Sequence, residues 1–198
     1  MSFWDKVAGL YDFAESFNSK VYRNIVRLTG KLIPEGARVL DCAAGTGELS
    51  IAASRKAREV LCTDYSEKML NVAREKVEKM GITNIGFRQG NIYNIEAPDE
   101  TYDVTIAGNV LHLLDDTEAA VRELARVTKR GGRMLLPCFT TAGRAQAMIN
   151  VYKLFGYRGK AYTPSDYCCM LADMNIGSVK AKVFDGTVPC CYVMIIKK

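Results

Sequence analysis

Histidine occurs once in this chain, at His112, so any mechanism that needs an imidazole falls on that position. No two of the seven cysteines have the Cys-x-x-Cys spacing of a zinc or redox motif, and no metal is expected. No apolar run approaches the ~20 residues of a membrane helix, which excludes a spanning segment. The opening "MSFWDKVAGLYD" lacks a basic stretch followed by an apolar core, so no secretory signal is expected and the expected compartment is the cytoplasm. Repeats, low-complexity tracts and internal linkers are missing too. Charge of one sign is not massed anywhere: 27 Lys and Arg against 22 Asp and Glu give +5, scattered along the chain, which argues against nucleic acid as the partner.

What is present fits an ordinary globular domain, with 48% hydrophobic and 25% charged residues in 198. That length is most simply one domain, residues 1–198, able to bury a core without staples. The odd cysteine count, with no secretion signal, implies free thiols. The adjacent pairs Cys168-Cys169 and Cys190-Cys191 could bind a soft metal, but small buried core residues are the reading taken.

Strand and helix signals alternate. "ARVLDC" (37–42) and "REVLCTD" (58–64) are short apolar runs, each followed by a helical pattern. The second of these helices starts at Ser66, buries Met69, Ala73, Val77 and Met80, and ends at Gly81. "NIGFRQG" (84–90) and "YDVTIAGNV" (102–110) read as the next strands. A helix is predicted from Asp115 to Arg130, with Lys129-Arg130 suiting its dipole and Gly131-Gly132 closing it. "RMLLPCF" (133–139) is a fifth strand, with Pro137 expected at or beyond the paired region because it has no N–H to donate. Thr163, Pro164 and Asp166 mark a helix start, and Tyr167, Met170, Leu171 and Met174 its buried stripe. "SVKAKVFDG" and "CCYVMIIKK" follow too closely for a crossover and should pair antiparallel. The whole is an α/β doubly wound sheet, whose ligand site is expected at the carboxyl ends of the strands. Residues 1–33 carry a helical stripe, Val21, Ile25, Leu28 and Leu32, preceded by Phe3, Trp4, Tyr11, Phe13 and Phe17. They form either a packed helix or a lid.

The turn in "VLDCAAGTGELS" decides the ligand class. A dinucleotide fingerprint needs three glycines, and the third position here is Ser50. Asp41, at the end of the strand, would repel a pyrophosphate and suits a ligand with a cationic end. Asp64, ending the next strand, can accept both hydroxyls of a ribose. The set fits a nucleoside with a cationic amino-acid tail.

"VLDCAAGTG", "LCTDYSEKML", "RQGNI", "YDVTIAGNVLHLL" and "ELARVTKRGGRMLL" resemble, in order and spacing, the motifs of class I S-adenosylmethionine-dependent methyltransferases. "VAGLYD" and the D-x-A-x-G-T-G form are most similar to the ubiquinone/menaquinone-biosynthesis subgroup and its small-molecule relatives. The resemblance implies a seven-stranded sheet of order 3-2-1-4-5-7-6 with strand 7 antiparallel. It implies S-adenosyl-L-methionine as cofactor and S-adenosyl-L-homocysteine as product. Asp41, Ala43, Ala44, Gly45 and Gly47 would face the methionine portion, Asp64 the ribose, and Tyr65 the adenine face. Asn91, where the family commonly has Asp, would accept from the adenine amino group. Tyr11, Met69 and Ile92 would complete the cofactor site, and Asn109 and Val110 would border the methyl-bearing sulfur.

The resemblance also implies a lid at 1–33 and a substrate-side helical segment at 140–176, in a monomer or homodimer. The expected reaction is methyl transfer to a small molecule by in-line displacement, with His112 as candidate general base. RNA or protein methylation, or cofactor binding without catalysis, are the alternatives. "GNVLH" is not the [DN]PP[YFW] that grips a nucleobase amine, and Cys138 lacks the flanking motif of a cytosine nucleophile. Tyr11, Phe13, Phe17, Phe139, Tyr152, Phe155, Tyr157 and Tyr162 are candidate pocket walls, and Arg158 and Lys160 candidate anion contacts.

Overall fold

A strand with apolar residues on both faces has to be covered on both, and the strands Arg38–Cys42 and Tyr102–Ile106, the second half of Thr128–Phe139 and the first half of Cys190–Lys197 are largely buried here. The computed structural model describes residues 19–141 and 160–198. Elements follow in the order α1 Ser19–Leu32, β1 Arg38–Cys42, α2 Glu48–Ser54, β2 Glu59–Asp64, α3 Glu67–Lys79, β3 Ile85–Gln89, β4 Tyr102–Ile106, α4 Thr117–Val127, β5 Thr128–Phe139, α5 Pro164–Asp173, β6 Gly177–Phe184 and β7 Cys190–Lys197. The sheet order is β3-β2-β1-β4-β5-β7-β6. β3, β2, β1, β4 and β5 pair in parallel, and β7 pairs antiparallel with both β5 and β6. The doubly wound sheet and its C-terminal hairpin are as expected.

One core lies on each face. Val21, Ile25, Leu49 and Ala53 of α1 and α2 pack with Val39, Val104, Leu135 and Tyr192 of the sheet. Val121, Leu124, Tyr167 and Leu171 of α4 and α5 pack with Leu40, Met134, Leu136 and Val193 on the other face. The described part of the expected lid is therefore a packed helix. Its fully buried line runs through Val21, Ile25 and Thr29, with Leu28 and Leu32 flanking it half-buried, because the Thr29 hydroxyl meets Tyr192 Oη at 2.8 Å. Phe3, Trp4, Tyr11, Phe13, Phe17, Tyr152, Phe155, Tyr157 and Arg158 lie outside the described residues.

Four sequence expectations need correction. Met80 is 56% exposed, because α3 ends at Lys79 and Gly81 turns the chain with φ 65°. β4 ends at Ile106, not 110. α4 ends at Val127, because the Thr128 hydroxyl donates to Leu124 O at 2.7 Å and closes the last turn as the backbone becomes extended. Lys129 and Arg130 belong to β5, where they pair with Asp103 and Glu100. Gly131-Gly132 lies within a bulge of that strand, where the register jumps from Tyr102↔Thr128 to Val104↔Arg133. Pro137 is inside the ladder on the β7 side, opposite Tyr192. Its carbonyl accepts from Asn109 N–H at 2.8 Å, so its own N–H-less side faces the β4 edge, where regular pairing stops at Leu135. A proline costs a ladder bond only on the side its nitrogen faces.

Candidate functional site

β1 and β4 are neighbours whose chains leave in opposite directions along the sheet order, and such a point opens a crevice at the strands' carboxyl ends. Three left-handed residues within five shape the turn after β1: Ala43 (φ 54°), Gly45 (φ 56°) and Gly47 (φ 82°). At Gly47 a side chain is excluded twice, since a Cβ would also lie 2.9 Å from Ala73 Cβ of α3. On the β4 side, Asn109 has φ 53°, a conformation that asparagine tolerates better than most residues. Gly108 beside it has no room for a Cβ against Leu49.

A cavity of about 320 Å³ opens between these turns. Ala43 and Gly45 form one wall, Asp64, Tyr65 and Met69 the second, Asn91 and Ile92 the third, and Asn109 and Val110 the fourth. Nine sequence-predicted residues are thus brought together. Gly90, Tyr93, Gly108, Leu113 and Leu114 line it as well and were not foreseen. Their backbone or apolar contributions follow from position just beyond β3 and β4, the one signal that could have found them. A second cavity of about 430 Å³ lies between α4 and α5, away from the strand ends.

Asp64 accepts from Gly45 N–H on Oδ2 and from Ser66 N–H on Oδ1, both at 2.8 Å. One carboxylate thereby holds the glycine turn and the start of α3 in register. Ser66 caps α3 in turn, with Met69 N–H at 3.3 Å from its hydroxyl. Tyr65 lines the cavity but is 66% exposed, and its carbonyl accepts from Gln89 Nε2 at 2.8 Å. Asn91 Oδ1 accepts from Tyr93 N–H at 3.0 Å, so part of its acceptor capacity serves a local turn.

Asp41 does not line the cavity. It is fully buried behind the turn, where Ser50 Oγ donates to Oδ2 at 2.7 Å. Ser50, which breaks the dinucleotide pattern, is the partner of the acid that argues against a dinucleotide. Asp41 Oδ1 and Asn109 Oδ1 are the buried side-chain oxygens without a hydrogen-bond partner among the described residues. An unmet buried acceptor costs about 1–3 kcal/mol. Burial foremost, then the neighbouring Asp64 charge, raises the Asp41 pKa to about 7 against the opposing Ser50 bond. Ala44 and Gly47 fix the turn from within, since Ala44 N–H donates to Thr63 O and Gly47 N–H to Ala44 O.

His112 stands in a short 3₁₀ turn, Leu111–Leu113, and its ring is not part of the cavity wall. Its Nδ1 is 3.5 Å from Cys138 Sγ, and it meets Phe139 edge-on with centroids 6.4 Å apart. Burial lowers its pKa to about 4. Burial likewise raises Cys138 well above the usual thiol range, which suits a packing residue and not a nucleophile. Tyr162 turns away from the cavity, with its hydroxyl 3.1 Å from Thr117 Oγ1. Among the described residues, no group of three or more His, Cys, Asp or Glu could hold a metal. No helix among them is long and apolar enough to cross a membrane.

Residues 39–132 match a family described as "Methyltransferase domain". The chain is 35% identical over 137 residues to the ubiquinone/menaquinone biosynthesis C-methyltransferase UbiE of Pasteurella multocida, covering 66% of this chain and 51% of the other. It is 34% identical over 128 residues to a phosphatidylethanolamine N-methyltransferase of Cereibacter sphaeroides, covering 64% and 62%. The chain spans about half the length of the curated relatives it matches. The crystal structure of YcgJ from Bacillus subtilis shares the fold, with a TM-score of 0.75 and 19% identity over 89% of this chain and 99% of that one.

Proposed function

We propose, on the premise that this chain belongs to the class I S-adenosylmethionine-dependent methyltransferases, that it transfers a methyl group by in-line displacement to a small-molecule acceptor. The observation that carries this reading is the cavity at the carboxyl ends of the strands, walled by Asp64 on one side and by Asn109 on another, where the buried Asn109 Oδ1 is unmet and Asp41, with its own unmet Oδ1, lies behind the glycine turn. Such acceptors ask for a ligand that brings donors and positive charge. S-adenosylmethionine fits, because it carries an amino group and a sulfonium, and when bound it supplies an activated methyl group.

The residues then divide the work. Asp64, oriented by two backbone N–H groups, would take the ribose hydroxyls, and Tyr65, Asn91 and Ile92 would border the adenine. Ala43 and Gly45 would address the amino-acid end, with Asp41 buried behind their turn. Asn109 and Val110 would border the reacting sulfur, with Leu113 and Leu114 keeping that end apolar. Alignment and exclusion of water are the chain's contribution to an in-line displacement. His112, held near pKa 4, is neutral at pH 7 and too weak a base to retain a proton taken from an amine or phenol. Small acceptors are supported by the relatives' names, which pair a C-methyltransferase with an N-methyltransferase and so leave the acceptor atom open.

Transfer of labelled methyl groups to a panel of quinols, amines, phenols, thiols and tRNA tests the reading. Turnover with a small acceptor is expected. Turnover with tRNA alone would move the assignment to RNA, and S-adenosylhomocysteine binding without any turnover would leave a binding module.

A further inference from the structure

On the far side of β5 from the crevice, the fold brings together two thiols that the sequence keeps apart. Cys168 lies on α5 and Cys191 near the start of β7, and their Sγ atoms are 3.5 Å apart. Neither sequence-adjacent pair stays together as a working pair. Cys169 is exposed, while Cys190 is buried opposite Phe139 of β5. Cys138, across the ladder from Cys191, has its sulfur against His112.

The two thiols differ in access. Cys168 is partly exposed, and Cys191 is buried. Burial, with the Cys168 contact, pushes the Cys191 thiol up to about 12. A disulfide joins its sulfurs at about 2.0 Å. The remaining approach of roughly 1.5 Å is within what small side-chain rotations supply. α5 is firmly seated on the sheet through Tyr167 and Leu171, both fully buried, so the contact is held by the fold and not by chance proximity of loops.

We propose that Cys168 and Cys191 form a reversible intramolecular disulfide that fixes α5 to β7, with a low-molecular-weight disulfide such as oxidised glutathione as the oxidant. The Cys168 thiolate attacks one sulfur of the small disulfide and expels the first thiolate, leaving a mixed disulfide. Cys191 then attacks Cys168 Sγ, and the second thiolate leaves with the Cys191 proton. Two protein thiols are oxidised and one small disulfide is reduced to two thiols. The bond closes the loop from Cys168 to Cys191, which holds the end of α5, β6 and the start of β7, and ties the middle of α5 to the sheet.

The whole chain is equilibrated with graded ratios of reduced and oxidised glutathione, alkylated, and mapped by peptide mass spectrometry without reduction, alongside thermal melting. A Cys168–Cys191 cross-linked peptide is expected, with a melting temperature about 5–10 °C above that of the reduced protein. The rise should vanish in Cys168→Ser and persist in Cys169→Ser. A stable glutathione adduct on Cys168, a Cys168–Cys169 link, an intermolecular link, or thiols that stay reduced throughout would each overturn the proposal.

Discussion

Replacing Asp41 with asparagine isolates the free energy of a charge that the fold encloses. The carboxyl group has Ser50 on one oxygen and nothing on the other, and its pKa stands at about 7. In an unfolded chain an aspartate ionises near pH ~3.9. Between those two values the folded protein keeps a proton that the unfolded chain has released. Folding is therefore favoured at low pH, and stability falls as pH rises through the interval, by about 1.4 kcal/mol per unit. Above the folded pKa the penalty is constant. From pH 5 to pH 7, where the folded group is half ionised, it grows by about 2 kcal/mol.

His112 pulls the other way. With its pKa lowered to about 4, it stays neutral while the unfolded chain's imidazole titrates near ~6.5, so its contribution rises with pH over that interval. Subtracting the profiles of wild type and Asp41→Asn removes this term, since both proteins carry the same histidine. The amide also leaves a buried N–H in place of Oδ1, a pH-independent cost of about 1–3 kcal/mol. Urea unfolding from pH 4.5 to pH 8 should show the variant gaining about 2–3 kcal/mol on wild type between pH 5 and pH 7. Parallel profiles would show that Asp41 ionises normally and would refute the account of a desolvated carboxylate behind the turn.

Asp64→Asn should weaken S-adenosylhomocysteine binding by roughly 10- to 150-fold in calorimetry, the worth of a charge-assisted hydrogen bond; unchanged affinity would remove Asp64 from the ribose. Gly47→Ala should lower stability by about 1–3 kcal/mol in chemical denaturation, because φ 82° and the Ala73 contact both penalise a methyl group. A variant as stable as wild type would mean that the turn relaxes. For His112→Gln, the pH–rate profile of kcat/KM should keep its shape above pH 6. An acid limb near pH 6.5 that disappears in this variant would restore the imidazole as the base.

The parallel pairing was legible because helical patterns separate most of the apolar runs, the strand order only through the resemblance, and the hairpin because too few residues separate its two halves. The end of α4 was not legible. Lys129, Arg130 and two glycines make a good helix terminus in isolation, and only the Thr105–Thr128 hydroxyl contact and the acids Glu100 and Asp103 draw them into a strand. The cavity walls at Asp64, Asn91 and Asn109 could be located because each lies at or just past a strand end. The sequence places Asp41 facing the ligand, and its burial behind the turn is invisible there, since it depends on Ser50 and α2 folding over it. His112 sat in the right stretch, yet a 3₁₀ turn that periodicity does not report carries its ring toward Cys138.

Pro137 has a consequence that reaches the crevice itself. A parallel strand continues as long as its neighbour offers the next donor, and β5 withholds one where β4 would add another rung. Past Ile106 the chain stays tied to β5 by Ala107 N–H on Leu135 O and Asn109 N–H on Pro137 O, but the return bond from residue 137 is missing, and there Gly108 and Asn109 turn into the cavity wall. Supplying its donor, as Pro137→Ala would, gives the zipper one more tooth and places the width of the crevice in competition with the length of β4.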